Sequence, residues 1–150
     1  EHVFKNKIEN TLFAGIYNEE IFRELKNKKN KIVIKDSISK KKISISIDKF
    51  YLKNDNAIVI SNNNTVIFTK YRKPFHYLSD FKELNINLKK YKILIVKSGY
   101  LSPELKKLKA DNFMILTDGF VTQDFKRIKN LFREKPIYPF QKNFKYNIAI

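Results

Sequence analysis

The segment Lys92-Ile93-Leu94-Ile95-Val96-Lys97-Ser98-Gly99-Tyr100-Leu101-Ser102-Pro103-Glu104-Leu105 constrains the fold more than any other part of the chain. Its aliphatic run, mostly β-branched, fits a short buried strand. Gly99 permits a sharp turn, and Ser102-Pro103-Glu104 then supplies a helix N-cap, a proline at the first helical position and a first-turn acid. Strand, loop and helix in that order set Lys97, Ser98, Gly99 and Tyr100 at the carboxyl end of a strand, where open α/β sheets place ligands.

The remaining pattern extends this unit into an α/β domain. Residues 11–17 read as an apolar strand, and Asn18-Glu19-Glu20 opens a helix with Ile21, Phe22 and Leu25 on one face. Between 31 and 53 the isoleucines at 32 and 34, then at 43, 45 and 47, are spaced by two, as in half-buried antiparallel or edge strands. Residues 57–61 and 65–69 form a hairpin across Asn62-Asn63-Asn64, a residue type that tolerates left-handed turn geometry. Phe75, Leu78, Phe81 and Leu84 recur at helical spacing after Pro74. Strands at 93–97 and 113–117, helices at 103–109 and 123–132, and an extended tail around Pro136 and Pro139 complete the expectation. The expected fold is α/β, with α+β as the variant: one domain over 1–150 with a mixed sheet, a β-hairpin region and then a βαβ unit. In that unit the strands at 93–96 and 113–116 are expected to be parallel neighbours.

With 150 residues the chain can build one real core but not two ordinary domains. It has no cysteine, which removes disulfides and thiolate metal sites. Its apolar runs are far shorter than a membrane span, no leader segment is read, and a cytoplasmic location is expected. Because the first residue is Glu1, a whole protein and a fragment both stay open. The formal charge of +16 invites an anionic partner. Nearly all the cations are lysine, however, with arginine only at Arg23, Arg72, Arg127 and Arg133, whereas planar phosphate recognition favours arginine. A solvated lysine surface is therefore preferred, and a basic module holding nucleic acid or another anionic partner is the alternative function.

Self-contained catalysis finds little support. His2 and His76 are the only histidines and have no partner at ligand spacing. Gly15, Gly99 and Gly119 are the only glycines, too few for a phosphate loop, and no serine sits in a nucleophile elbow. What remains is a pair of loops, Lys97-Ser98-Gly99-Tyr100 and Thr117-Asp118-Gly119. On adjacent parallel strands they would bring an ammonium, hydroxyls, a carboxylate and backbone amides to one sheet edge, able to bind substrate or support a cleft. The same residues also fit local roles, with the glycines permitting turns, Asp118 capping the next segment and Lys97 solvated.

Together with Leu12-Phe13-Ala14-Gly15-Ile16-Tyr17-Asn18-Glu19-Glu20, Leu116-Thr117-Asp118-Gly119 and Lys135-Pro136-Ile137-Tyr138-Pro139-Phe140, the opening segment resembles the C-terminal domain of the MlrC-like (microcystinase C-like) metallopeptidases. The resemblance implies a hydrolase family in which zinc is held by an N-terminal domain absent from this sequence. This chain then has no cofactor and no catalytic or metal residues of its own, and is not expected to be active by itself. The implied partner is that zinc-bearing domain or a companion chain. Self-association stays open, nucleic acid is disfavoured, and no membrane is expected. The family's asparagine-proline-glycine-glycine opening is missing, and the stretch from Lys26 to Asn56 is lysine-rich and glycine-poor.

Overall fold

The computed structural model describes residues 2–27, 30–35, 40–97, 100, 102–108 and 110–115. The chain divides into two compact units, Glu1–Asn112 and Phe113–Ile150. In the first, the short helix α1 (His2–Lys5) precedes strand β1 (Thr11–Tyr17) and helix α2 (Glu19–Lys26). Five strands follow: β2 (Lys31–Lys35), β3 (Lys42–Ser46), β4 (Lys49–Lys53), β5 (Asn56–Ser61) and β6 (Asn64–Thr69). Helix α3 (Leu78–Glu83), a 3-10 turn at Leu88–Lys90, strand β7 (Ile93–Val96) and helix α4 (Pro103–Lys106) complete the described elements.

A five-stranded mixed sheet runs β4-β5-β6-β1-β7, and β2 and β3 form a separate antiparallel ribbon. The α/β expectation with a mixed sheet therefore holds. β4, β5 and β6 are an antiparallel meander, whereas β1 lies parallel to both β6 and β7. Asn54 and Asp55, then Asn62 and Asn63, turn the meander with positive φ at both central positions, the geometry that matches strand twist in two-residue hairpins. Asparagine and aspartate tolerate it because their short polar side chains bond locally.

Alternation along the strands separates two cores, one on each face of the sheet. Leu12, Ala14, Ile58 and Ile67 pack with Phe75, Phe81, Leu84 and Leu105 on one side. Ala57, Val59, Val66 and Phe68 pack with Ile21 and Leu25 of α2 and with Ile32 and Ile45 of the ribbon on the other. The period-two isoleucines of β2 and β3 thus roof the sheet instead of extending it. Their opposite faces carry exposed Lys31, Val33, Lys35, Lys42 and Ser44.

The parallel crossover occurs earlier in the chain than the sequence pattern suggests. It runs from β6 through α3 to β7, and its two strands flank β1. β7 takes β1 as its parallel neighbour, pairing Leu12 with Leu94 and Ala14 with Val96. Phe113, Met114 and Ile115 are exposed and belong to no strand, and Leu116 lies outside the described residues. The expected strand at 113–116 is corrected accordingly: 113–115 are not extended into a strand, and the parallel neighbour that β7 does have is β1. Period and propensity reveal that a strand exists but not which edge it joins.

The Tyr51 hydroxyl donates to the Leu84 carbonyl at 3.1 Å, tying β4 to the end of α3. Burial, with a smaller contribution from Tyr91, raises the Tyr51 hydroxyl above its ordinary 10.0. As pH rises, the unfolded chain therefore gives up the Tyr51 proton before the folded one does. Its stabilising effect is complete below pH 10.0 and declines as pH rises through the folded-state value. Tyr51→Phe is expected to cost about 1 kcal/mol near neutral pH. It should also make the alkaline decline shallower, which urea unfolding at neutral and strongly alkaline pH would reveal.

Candidate binding edge at the carboxyl ends of the parallel strands

Because β6, β1 and β7 are parallel neighbours, their carboxyl ends fall on one side of the sheet. β1 ends at Tyr17, β6 runs on into Lys70-Tyr71-Arg72-Lys73, and β7 runs on into Lys97. Strands stand about 4.8 Å apart, so the outer two ends are about 10 Å from one another. Open α/β sheets bind ligands on this side because the strand ends expose backbone groups there and loops supply side chains.

Gly15 sets how the segment after β6 crosses the sheet. Its φ is +83° and the β1–β6 register shifts beside it, between Ala14 and Ile16. A Cβ on Gly15 would lie 3.2 Å from Phe75 Cδ2 and 3.3 Å from the Lys73 carbonyl oxygen. The missing side chain thus lets residues 73–75 pass directly over β1 and seats Phe75 in the core, where its ring meets Phe81 at 5.3 Å.

Beyond Phe75, polar contacts fasten three segments together. Asp80 accepts from the backbone N–H groups of His76 and Tyr77 at 3.1 and 3.0 Å, while Lys73 Nζ lies 3.1 Å from its other oxygen. This satisfies donors at the start of α3 with a nearly buried carboxylate. The Ser102 hydroxyl donates to the His76 carbonyl, and the Leu78 N–H donates to Glu104 at 2.7 Å. Ser102 does occupy the N-cap position of α4, after which Pro103 begins the helix, but its side chain makes no cap bond. Ser102 and Glu104 instead staple α4 to the start of α3.

Tyr100 and His76 meet above this staple. The Tyr100 hydroxyl and His76 Nδ1 are 3.1 Å apart, and the rings are tilted with centroids at 4.8 Å. On the other flank the Arg72 guanidinium lies over the exposed Tyr17 ring, 5.6 Å from its centroid. Lys70 sits 5.1 Å from the Tyr71 ring centre and 3.9 Å from Asp55. A hydrogen bond with the Tyr71 side chain, followed by the charges of Tyr71 and Asp55, raises the Lys70 ammonium above its ordinary 10.5.

Of the residues expected from sequence, Lys97 and Tyr100 lie in this region. Lys97 is exposed, and its N–H donates to the Ala14 carbonyl at 3.4 Å. Ser98, Gly99, Thr117, Asp118 and Gly119 lie outside the described residues. Tyr17, Arg72, Lys73, His76 and Asp80 join the edge without having been expected there. The Lys-Tyr-Arg-Lys run after β6 was a signal for them, but only a parallel β6 makes it an edge feature.

A family model described as MlrC C-terminus matches residues 34–130. The chain belongs to that family. Neither curated proteins nor solved structures give a significant match. The MlrC C-terminus span takes in Arg72, His76, Lys97, Tyr100 and the positions Thr117, Asp118 and Gly119, whereas β1 precedes it. Of the segments that carry the resemblance, 92–105 and 116–119 lie inside the match, and 12–20 and 135–140 lie outside it.

Proposed function

We propose that this MlrC C-terminal domain is a structural and substrate-supporting module working beside a zinc-bearing domain, supplied upstream or by a companion chain. The observation that carries this reading is the carboxyl edge itself. Three parallel strand ends meet there, and the His76–Tyr100 pair is held in place by Ser102, Asp80 and Glu104. Lys97, Ser98, Gly99, Tyr100, Thr117, Asp118 and Gly119 are the proposed cleft-supporting positions.

The described residues do not fit a zinc site of their own. Among them no group of three or more histidine, cysteine, aspartate or glutamate side chains could hold a metal. His76 Nδ1 faces the Tyr100 hydroxyl, and Asp80 is occupied by two N–H groups and Lys73. In this reading the metal chemistry belongs to the companion, and this chain orients substrate. Among the described residues no helix is long and apolar enough to cross a membrane.

Metal analysis and peptide hydrolysis, measured on the chain alone and with the companion domain, test the reading. The chain alone is expected to retain no stoichiometric zinc after dialysis and to cleave no peptide. Addition of the zinc-bearing domain should produce a stable complex with both properties. Zinc held by the chain alone through His2 or His76, accompanied by hydrolysis, would overturn the assignment, as would a companion that forms no complex with it.

A further inference from the structure

We propose that the carboxyl edge recognises a carboxylate on a peptide, with the Arg72 guanidinium as the fork that receives its two oxygens. This names a substrate class for the edge and rests on the cleft-supporting reading in taking this edge as the working one.

The charges there are unequal in what they can offer. Lys73 is committed to Asp80 at 3.1 Å, and Lys70 stands 3.9 Å from Asp55. Arg72 and Lys97 are exposed and, among the described residues, face no carboxylate. Arg72 is also oriented. Its guanidinium lies over the Tyr17 ring at 5.6 Å, and Tyr17 is fixed as the last residue of β1, paired with Thr69. This cation–π contact engages the ring with the charge and not with the N–H groups, which stay available to a planar, two-oxygen acceptor.

A carboxylate fits this position better than a phosphate. Glu19 opens α2 just after Tyr17 and its charge reaches Lys70, two residues before Arg72, so a dianion entering this end of β6 meets more repulsion than a monoanion. The surroundings suit a peptide. Tyr71, Tyr77 and Tyr100 are 61%, 58% and 57% exposed and offer flat apolar surface with hydroxyl edges. The distance of about 10 Å between the outer strand ends is what about three extended residues span. A peptide held at Arg72 can therefore reach Lys97 and the His76–Tyr100 pair.

Isothermal titration of the full chain in about 0.15 M salt, where exposed charges are well screened, tests this. The probes are a short peptide ending in glutamate with a free carboxyl terminus and its counterpart ending in glutamine amide. The acid is expected to bind about tenfold tighter or better, a difference of about 1.4 kcal/mol. Arg72→Lys, which keeps the charge but loses the fork, should remove most of that ratio with an unchanged melting temperature. Tyr17→Leu should remove part of it. A ratio near one would overturn the proposal, as would an unaffected Arg72→Lys protein, displacement of the peptide by inorganic phosphate, or tighter binding of a single-stranded oligonucleotide than of the acid peptide. These outcomes need no companion domain. A preserved ratio without a zinc partner would count against the proposed function alone, and an assembled, active complex with a ratio near one against the carboxylate site alone.

Discussion

Phe81→Ala is expected to lower stability by about 3–5 kcal/mol, the range for truncating a fully buried aromatic residue. Phe81 has no exposed surface, and its ring packs against Phe75 while α3 covers the sheet face bearing Leu12, Ala14 and Ile67. The cavity would open beneath the segment that carries His76 and Asp80. The loss should therefore appear twice, as a lower urea midpoint and as weakened protection of the His76 and Tyr77 amides, which Asp80 holds. A change below about 1 kcal/mol would mean that α3 does not form the roof described here.

Gly15→Val should be comparably damaging, for a different reason. The φ of +83° is strained for any L residue and most so for a β-branched one, and the new Cβ meets the Lys73 carbonyl at 3.3 Å and the Phe75 ring at 3.2 Å. Backbone strain and overpacking together predict a loss of about 3 kcal/mol or more. Gly15→Ala should retain the strain with less crowding and lose less. Thermal melts of the two proteins separate the contributions. Equal, small losses would show that the 73–75 crossing is not seated on Gly15.

These two sites differ in how far the sequence reveals them. The helical spacing of Phe75, Leu78, Phe81 and Leu84 marks Phe81 as a core residue, although Leu78 is in fact 39% exposed at the first position of α3. Gly15 carries no such mark. An isolated glycine in an apolar run signals a bulge or a close approach, but not which segment approaches. That segment is Lys73 to Phe75, almost sixty positions further along the chain.

The amino-acid sequence by itself determined the local elements. Strands β1, β5, β6 and β7, the ribbon, α2, and the asparagine turn at 62 and 63 follow from period-two alternation, capping residues and side chains that tolerate positive φ, all of which act within a few residues. It also indicated the family, through segments that hold their order along the chain. Tertiary structure alone decided that β1 enters between β6 and β7, that the ribbon roofs the sheet, and that Ser102 and Glu104 serve α3 instead of capping their own helix. The candidate edge belongs to this second group. Arg72 lies over Tyr17, and His76 meets Tyr100, because parallel pairing brings distant strand ends together. That pairing is selected by the fit of two whole cores on opposite faces of the sheet, a property that no single stretch of the chain contains.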